Sequence, residues 1–388
     1  MESSKSLLTK IFTEYYLSAA QAKSEGTPIA YVTAFAPVEI LRAMGVVCVY
    51  PESYAVVCAA SNKAPEMIQA SQMSAFAQAL CTYSLLSFGT EHFARLPYGG
   101  LPEPDLLVAT NNQCGTTLLW FKLLAEKKKI PLFLIDYPSS PDTHGSTNDY
   151  VARQHERLAA FITSHTGRTL DAAALAEQAA CSAKTCALWA EIHAMNQCVP
   201  ARLDAEKLVN ALFPIVVARG MPRTLDYYRT LLDEVRGADE PAVGEGVRLL
   251  WHGYPMWFLP KKFPGGFDAD FRIVLNDYTL WWSLSYSDGA DPMASLVAAC
   301  SNTYLNRPLS EKLAWTLGLV RDYGIGGVIC HANRSCRRAL ADIEPLRDAL
   351  TGLGVPSVVI ESDMANPDFY AKEQIALRLE SFRETLKA

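Results

Sequence analysis

The sequence predicts an α/β protein: two doubly wound parallel-sheet (flavodoxin/Rossmann-like) domains with a helical segment between them. Three observations predict it. Short apolar runs of strand length alternate with helical stretches at both ends of the chain. The middle carries helical periodicity and almost no strand signal. The chain has 388 residues, too many for one ordinary core. The expected divisions are 1–147, 148–236 and 237–388.

In the first part, strands are expected over 29–34, 46–50, 106–109 and 132–135. Helices are expected between them over 37–44, 65–86 and 116–127. The first two of these open with a proline, whose missing N–H is unpaired at a helix start in any case. The middle reads as helices over 149–164, 171–197, 204–218 and 223–236, and GADEPAVGEG, 237–246, reads as a linker. The alternation then resumes with strands over 247–251, 273–275, 327–330 and 357–360. Helices over 309–323, 337–350 and 370–386 go with them.

Composition excludes several classes of function. Half of the residues are hydrophobic, one fifth are charged, and the net charge is −6, so neither nucleic acid nor an anionic membrane is attracted. No apolar run approaches the ~20 residues that a bilayer requires. The N-terminus mixes charges into an amphipathic pattern without an apolar stretch before a cleavage site, so the cytoplasm is the expected location. No GxGxxG, Walker A, HExxH or GxSxG signature occurs, which argues against nicotinamide, ATPase, zincin and serine-hydrolase chemistry.

The ten cysteines are the informative residues. No CxxC pair exists, so any metal site must draw on cysteines distant in sequence. In doubly wound sheets, sites form beyond the carboxyl ends of the strands. Cys114, in ATNNQCGTT, and Cys336, in GVICHANRSCRR, both fall there, in polar loops entering helices where unpaired N–H groups favour a thiolate. Cys81 lies within an expected helix, and its spacing alone does not select it. Cys330 reads as strand core, and Cys48, Cys58 and Cys300 as core or partly buried. Cys181, Cys186 and Cys198 do not share a helix face and read as packing. His331, Asn333, Arg334 and Ser335 crowd the loop before Cys336; they either surround a site there or simply cap the following helix. The aromatic turn 251–266 is a candidate pocket wall, and Lys261 and Lys262 are candidate phosphate contacts or a solvated pair.

Several segments together resemble one family. They are AFAPVEILRAMGVVCVYPE, QALCTYSLLSFG, DLLVATNNQCGTT, PLFLIDYP, GGVICHANRSCRR and the tail VPSVVIESDMANPDFYAKEQIALRLESF, in that order. The chain resembles the cluster-binding subunits of 2-hydroxyacyl-CoA dehydratases, benzoyl-CoA reductases and double-cubane cluster proteins over most of its length. The resemblance implies that Cys81, Cys114 and Cys336 ligate an iron–sulfur cluster, either a 4Fe-4S cubane or an 8Fe-9S double cubane. With three cysteines on a cubane, one iron stays open to a ligand. The NRSC wording, with Arg337 and Arg338 after the cysteine where the usual dehydratase wording has Asp-Pro, is closer to the reductase and double-cubane branches.

The resemblance further implies low-potential one-electron reduction of an acyl-CoA thioester. The electrons would come from a separate ATP-hydrolysing iron–sulfur activator protein. A paralogous or identical subunit is expected to complete a dimer. The alternatives are a homodimeric double-cubane reductase of small molecules, a non-catalytic electron-relay subunit, and a plain α/β binding protein whose cysteines only pack.

Overall fold

The computed structural model describes residues 2–74, 80–139, 146–238, 246–259, 261–264, 270–287, 289 and 291–387. It contains two four-stranded sheets. The first is built from β1 (Ile29–Val32), β2 (Val47–Val49), β3 (Leu106–Thr110) and β4 (Leu132–Ile135), in the order β2-β1-β3-β4. The second is built from β5 (Val247–His252), β6 (Phe271–Asn276), β7 (Gly327–Asn333) and β8 (Ser357–Ser362), in the order β6-β5-β7-β8. Every strand pair is parallel. The central strands β1, β3 and β7 are buried along their whole length, which explains why they read as continuous apolar runs.

The two halves share one winding. In each, the first strand is central and the chain reverses its direction of travel across the sheet between the first and third strands. That reversal opens a crevice at the strands' carboxyl ends. In the chain, the helices Ser146–Thr166, Ala172–Ala194, Ala205–Asn210, Phe213–Val217 and Pro222–Arg236 come between the strands of the two sheets.

The eight strands fall where the sequence places them, but four expected helices are broken. The stretch 65–86 is two helices, Ala64–Met73 and Thr82–Gly89; residues 75–79 lie outside the described residues. Both helices pack inward, so apolar periodicity continues across the break and hides it. They pack against each other with Gly89 close to Met67, where a Cβ would collide with the Met67 carbonyl oxygen. Only glycine permits that approach.

The stretch 204–218 restarts at Phe213, with Pro214 in the first turn. The stretch 171–197 is α-helical from Ala172 to Ala194 and then narrows to a 3-10 turn, Met195–Gln197. The stretch 337–350 divides into Arg337–Ala341 and Ile343–Gly352. The helices Ser4–Ser24, Pro51–Ala60 and Pro292–Ser301 are additional to those expected. Residues 239–245 of the expected linker lie outside the described residues. No helix among the described residues is long and apolar enough to cross a membrane.

One buried ion pair ties the pieces together. Glu39, in the helix Val38–Ala43, accepts from Arg219 Nε at 2.9 Å, Ser182 Oγ at 2.7 Å and Tyr286 Oη at 2.8 Å. Both charged side chains are fully buried. Burial alone would raise the Glu39 pKa, but the Arg219 charge and the hydrogen bonds outweigh it and hold the carboxyl down at about 2. A carboxylate depressed in the folded state adds stability above its unfolded value of 4.5, and that stability is lost as pH falls toward about 2. Glu39→Ala would leave Arg219 charged, buried and unpaired, so urea unfolding at neutral pH should show a loss of about 3–5 kcal/mol. A loss under about 1 kcal/mol would show that the pair is not a clamp.

Candidate functional site

Cys81, Cys114 and Cys336 each occupy the residue immediately before a helix: Thr82–Gly89, Gly115–Lys128 and Arg337–Ala341, respectively. For Cys114 and Cys336 the sheet explains the position, since each follows the third strand of its half. Cys81 is placed differently from its expected position inside a helix. It stands at the start of the helix Thr82–Gly89, whose last residue, Gly89, lies against the Met67 carbonyl.

The three thiols are half-buried and line one cavity between the carboxyl ends of the two sheets. The loops are joined across the halves by Thr82 Oγ1, which donates to Ser335 Oγ at 3.1 Å. Helix amides serve the sulfurs: the Thr117 N–H donates to Cys114 Sγ at 3.3 Å. Burial pushes the Cys81 thiol well above its ordinary value, and the nearby Cys336 and Cys114 add to this; the Tyr83 and Ser84 amides only pull it back in part. Burial likewise raises Cys336 to about 11, against the amides of Ala339 and Arg338.

Such thiols resist ionising as neighbours unless positive charge is placed among them, which is the donor chemistry of a metal centre. Among the described residues, no group of three or more His, Cys, Asp or Glu side chains is gathered in a way that could hold a metal ion. A polynuclear cluster is wider than a single ion, and its cysteine ligands stand correspondingly further apart. The donor set, the shared cavity and the amide-lined sulfurs fit such a group.

The residues before Cys336 divide. Asn333 shapes the turn: its carbonyl accepts from Cys336 N at 3.0 Å, and its side chain accepts from Met364 N at 3.3 Å. Ser335 receives the bond from Thr82. His331 is buried, donates Nδ1–H to the Tyr254 carbonyl at 2.7 Å, and is held near 4 by burial, so it stays neutral and steadies Tyr254 from behind. Arg334 pairs with Glu361 at 3.1 Å and lies over the Phe369 ring, and the arginine that lines the cavity is Arg338 instead.

Of the other cysteines, Cys48, Cys58, Cys186, Cys300 and Cys330 are buried, and Cys181 is half-buried. Cys198 was expected to pack, but it is exposed because the chain has left its helix there. The aromatic turn does wall the cavity through Gly253 and Tyr254; residues 260, 265 and 266 of it lie outside the described residues. Lys262 Nζ donates to the Trp257 carbonyl at 3.1 Å, and Lys261 is exposed.

Two further residues line the cavity that sequence reasoning missed, Glu52 and His252. Glu52 follows the end of β2 and His252 closes β5, so the strand-end rule applied to every titratable side chain would have included both among many candidates without singling them out. Glu52 accepts from Ala34 N at 3.0 Å and from Gln113 Nε2 at 2.9 Å. His252 Nδ1 bonds Asp277 Oδ2 at 2.6 Å.

The cavity does not end at the cysteines. It shares Glu52, Tyr83, Tyr254 and Trp281 with an aromatic chamber of about 100 Å³. That chamber shares Ser53, Val56, Phe213 and Trp257 with an open groove of about 1180 Å³. Lys5, Arg202, Lys207 and Lys262 line the groove, with Glu234 among them.

The family model described as 2-hydroxyglutaryl-CoA dehydratase, D-component, matches residues 33–386. The chain is 24% identical to the lactoyl-CoA dehydratase subunit alpha of Anaerotignum propionicum, across 95% of this chain and 93% of that one. It is 23% identical to the (R)-2-hydroxyisocaproyl-CoA dehydratase alpha subunit of Clostridioides difficile, across 98% and 95%. It is also 25% identical to a subunit of the benzoyl-CoA reductase of Thauera aromatica, across 89% and 85%.

Burial raises the Glu52 carboxyl to about 7 from an ordinary 4.5, against the Ala34 and Gln113 hydrogen bonds. A carboxyl raised in the folded state binds its proton more tightly folded than unfolded, so its contribution to stability falls as pH rises through that interval. Glu52→Gln should remove this slope. In urea unfolding, stability of the variant minus that of the wild type should increase between about pH 5 and about pH 8. A difference independent of pH would show that Glu52 is an ordinary carboxylate.

Proposed function

The chain belongs to the 2-hydroxyglutaryl-CoA dehydratase D-component family, as an enzyme component of the oxidoreductase or dehydratase kind, and from that premise we propose that it carries an iron–sulfur cluster on Cys81, Cys114 and Cys336 and reduces an acyl-CoA thioester by one electron. The observation that carries the reading is the meeting of three helix-start cysteines, distant in sequence, on one cavity. The bound cluster would supply a single electron at very low potential. The chain has no nucleotide-binding loop of its own, which suits electron supply by a separate ATP-hydrolysing iron–sulfur activator. An identical or paralogous subunit would complete the enzyme.

The protein's own residues supply the rest. The groove's cations suit the phosphates of coenzyme A, and the apolar passage from groove to chamber suits the pantetheine arm. The aromatic chamber excludes water around the acyl group. Glu52, with a proton shared near neutrality, stands where a thioester carried to the cysteines would pass, and so can take or return a proton on the acyl chain. Loss of a hydroxyl and reduction of an aromatic ring share the first electron transfer and differ in what the substrate does next.

Anaerobic purification from iron-replete cells should give a brown protein with about four irons per chain for a cubane, or about eight for a double cubane. Cys81→Ala, Cys114→Ala and Cys336→Ala should each lose most of the iron and sulfide, while Cys181→Ala, Cys186→Ala and Cys198→Ala retain them. An added acyl-CoA should perturb the spectrum of the cluster; an unperturbed spectrum would mean an electron relay. Colourless wild-type protein would end the cluster reading.

A further inference from the structure

We propose that His252, held by Asp277, is a second proton-transfer group of this site and delivers a proton to the reduced substrate. This rests on the function proposed above. His252 ends β5, and its side chain lines the cavity shared by the three cysteines. Asp277 begins the short helix that follows β6, and its side chain is fully buried. Asp277 Oδ2 takes the Nδ1–H of His252 at 2.6 Å, and Oδ1 takes the Gly253 N–H at 2.9 Å. Gly253 reaches that oxygen with a φ of +96°, which a side chain there would resist.

Asn276 Nδ2 donates to the carbonyls of Trp251 at 3.2 Å and Gly253 at 2.8 Å, locking the ends of the two strands together. The imidazole is therefore fixed in orientation and tautomer, and Nε2 is the nitrogen left for the cavity.

A packing histidine looks different, and this protein supplies the comparison. His155, His193 and His331 are buried, and burial holds them at about 4, 3 and 4. They are neutral at physiological pH. Among the described residues, His252 is the histidine paired with a carboxylate. Burial also pulls His252 down, but the charge and hydrogen bond of Asp277 outweigh it, with Asp342 adding to the rise and Lys312 opposing it. Lys312 is itself paired with Asp342 at 3.1 Å. Arg338 and Glu52 are charged or titratable side chains on the cavity wall besides the cysteines and Asp342.

When the thioester has accepted its electron, it becomes basic. The Nε2–H bond breaks and an O–H or C–H bond forms on the substrate, leaving a neutral imidazole and an unchanged Asp277 carboxylate. In a dehydration, the protonated hydroxyl leaves as water with the electron pair of its C–O bond. In a ring reduction, the proton stays on carbon. Solvent then restores the proton to His252. Asp277 is a positioning residue in this scheme.

The test uses the anaerobically purified, cluster-loaded enzyme with its activator and an acyl-CoA that the wild type turns over. His252→Gln should keep its iron, sulfide and cluster spectrum, with kcat reduced by about 100-fold or more and KM little changed. His252→Ala should be equally slow and partly rescued by added imidazole, which a purely structural role would not allow. In cluster-free protein labelled with 15N-histidine, Asp277→Asn should lower the titration midpoint of His252. Full turnover by His252→Gln at full iron content, or loss of its cluster, would overturn the proton-donor role alone. A wild type without iron would overturn the function on which the role rests.

Discussion

The site depends on the Glu39–Arg219 pair being made. Its partners come from four parts of the chain: the helix after β1, the long helix Ala172–Ala194, the turn at Arg219, and Tyr286 after β6. A buried carboxylate has nowhere to find water, so those four segments must all arrive for any to be satisfied. The helical segment is thereby locked to both sheets. That lock sets the two carboxyl edges face to face, and the cavity with the cysteines is the space between them. A few ångströms of sliding between halves would separate Cys336 from Cys81 and Cys114, because the first belongs to one half and the other two to the other.

Strands were legible because parallel strands buried on both faces leave unbroken apolar runs, and β1, β3 and β7 have them. Two of the three cysteines were legible for a related reason: a strand end followed by a polar loop and a helix is a local pattern. Cys81 was not. Its helix, Thr82–Gly89, packs onto Ala64–Met73 with Gly89 against Met67, a tertiary contact that leaves no local signal before Cys81. Only family resemblance singled it out. His252 and Glu52 escaped for another reason. A carboxylate and an imidazole are common at strand ends, and the property that marks these two is the environment that shifts each proton, which is tertiary.

The two shifted groups stand in a definite relation. Glu52 belongs to the first sheet's edge and opens onto both the cysteine cavity and the aromatic chamber. His252 belongs to the second sheet's edge and lines the cysteine cavity without reaching the chamber. Burial favours the uncharged form of both, but only His252 has a buried counter-charge to reverse the effect. The outcome is a carboxyl poised to gain or lose a proton and an imidazole biased to hold one. An elimination needs both functions at different atoms of the same substrate.

Charge around the cysteines bears on what a cluster there would do. An iron–sulfur centre is reduced at lower potential when little positive charge lies near it. Two of the nearby cations are balanced: Arg334 is drawn away to Glu361 and the Phe369 ring, and Lys312 is paired with Asp342. Arg338 remains on the wall, and the sulfurs are met by helix amides. Amide dipoles orient and hold thiolates without contributing a full charge. Here Arg334, Lys312 and His252 each face a carboxylate, and Arg338 is the cation left on the wall, so the positive charge around the cysteines is largely balanced within the protein.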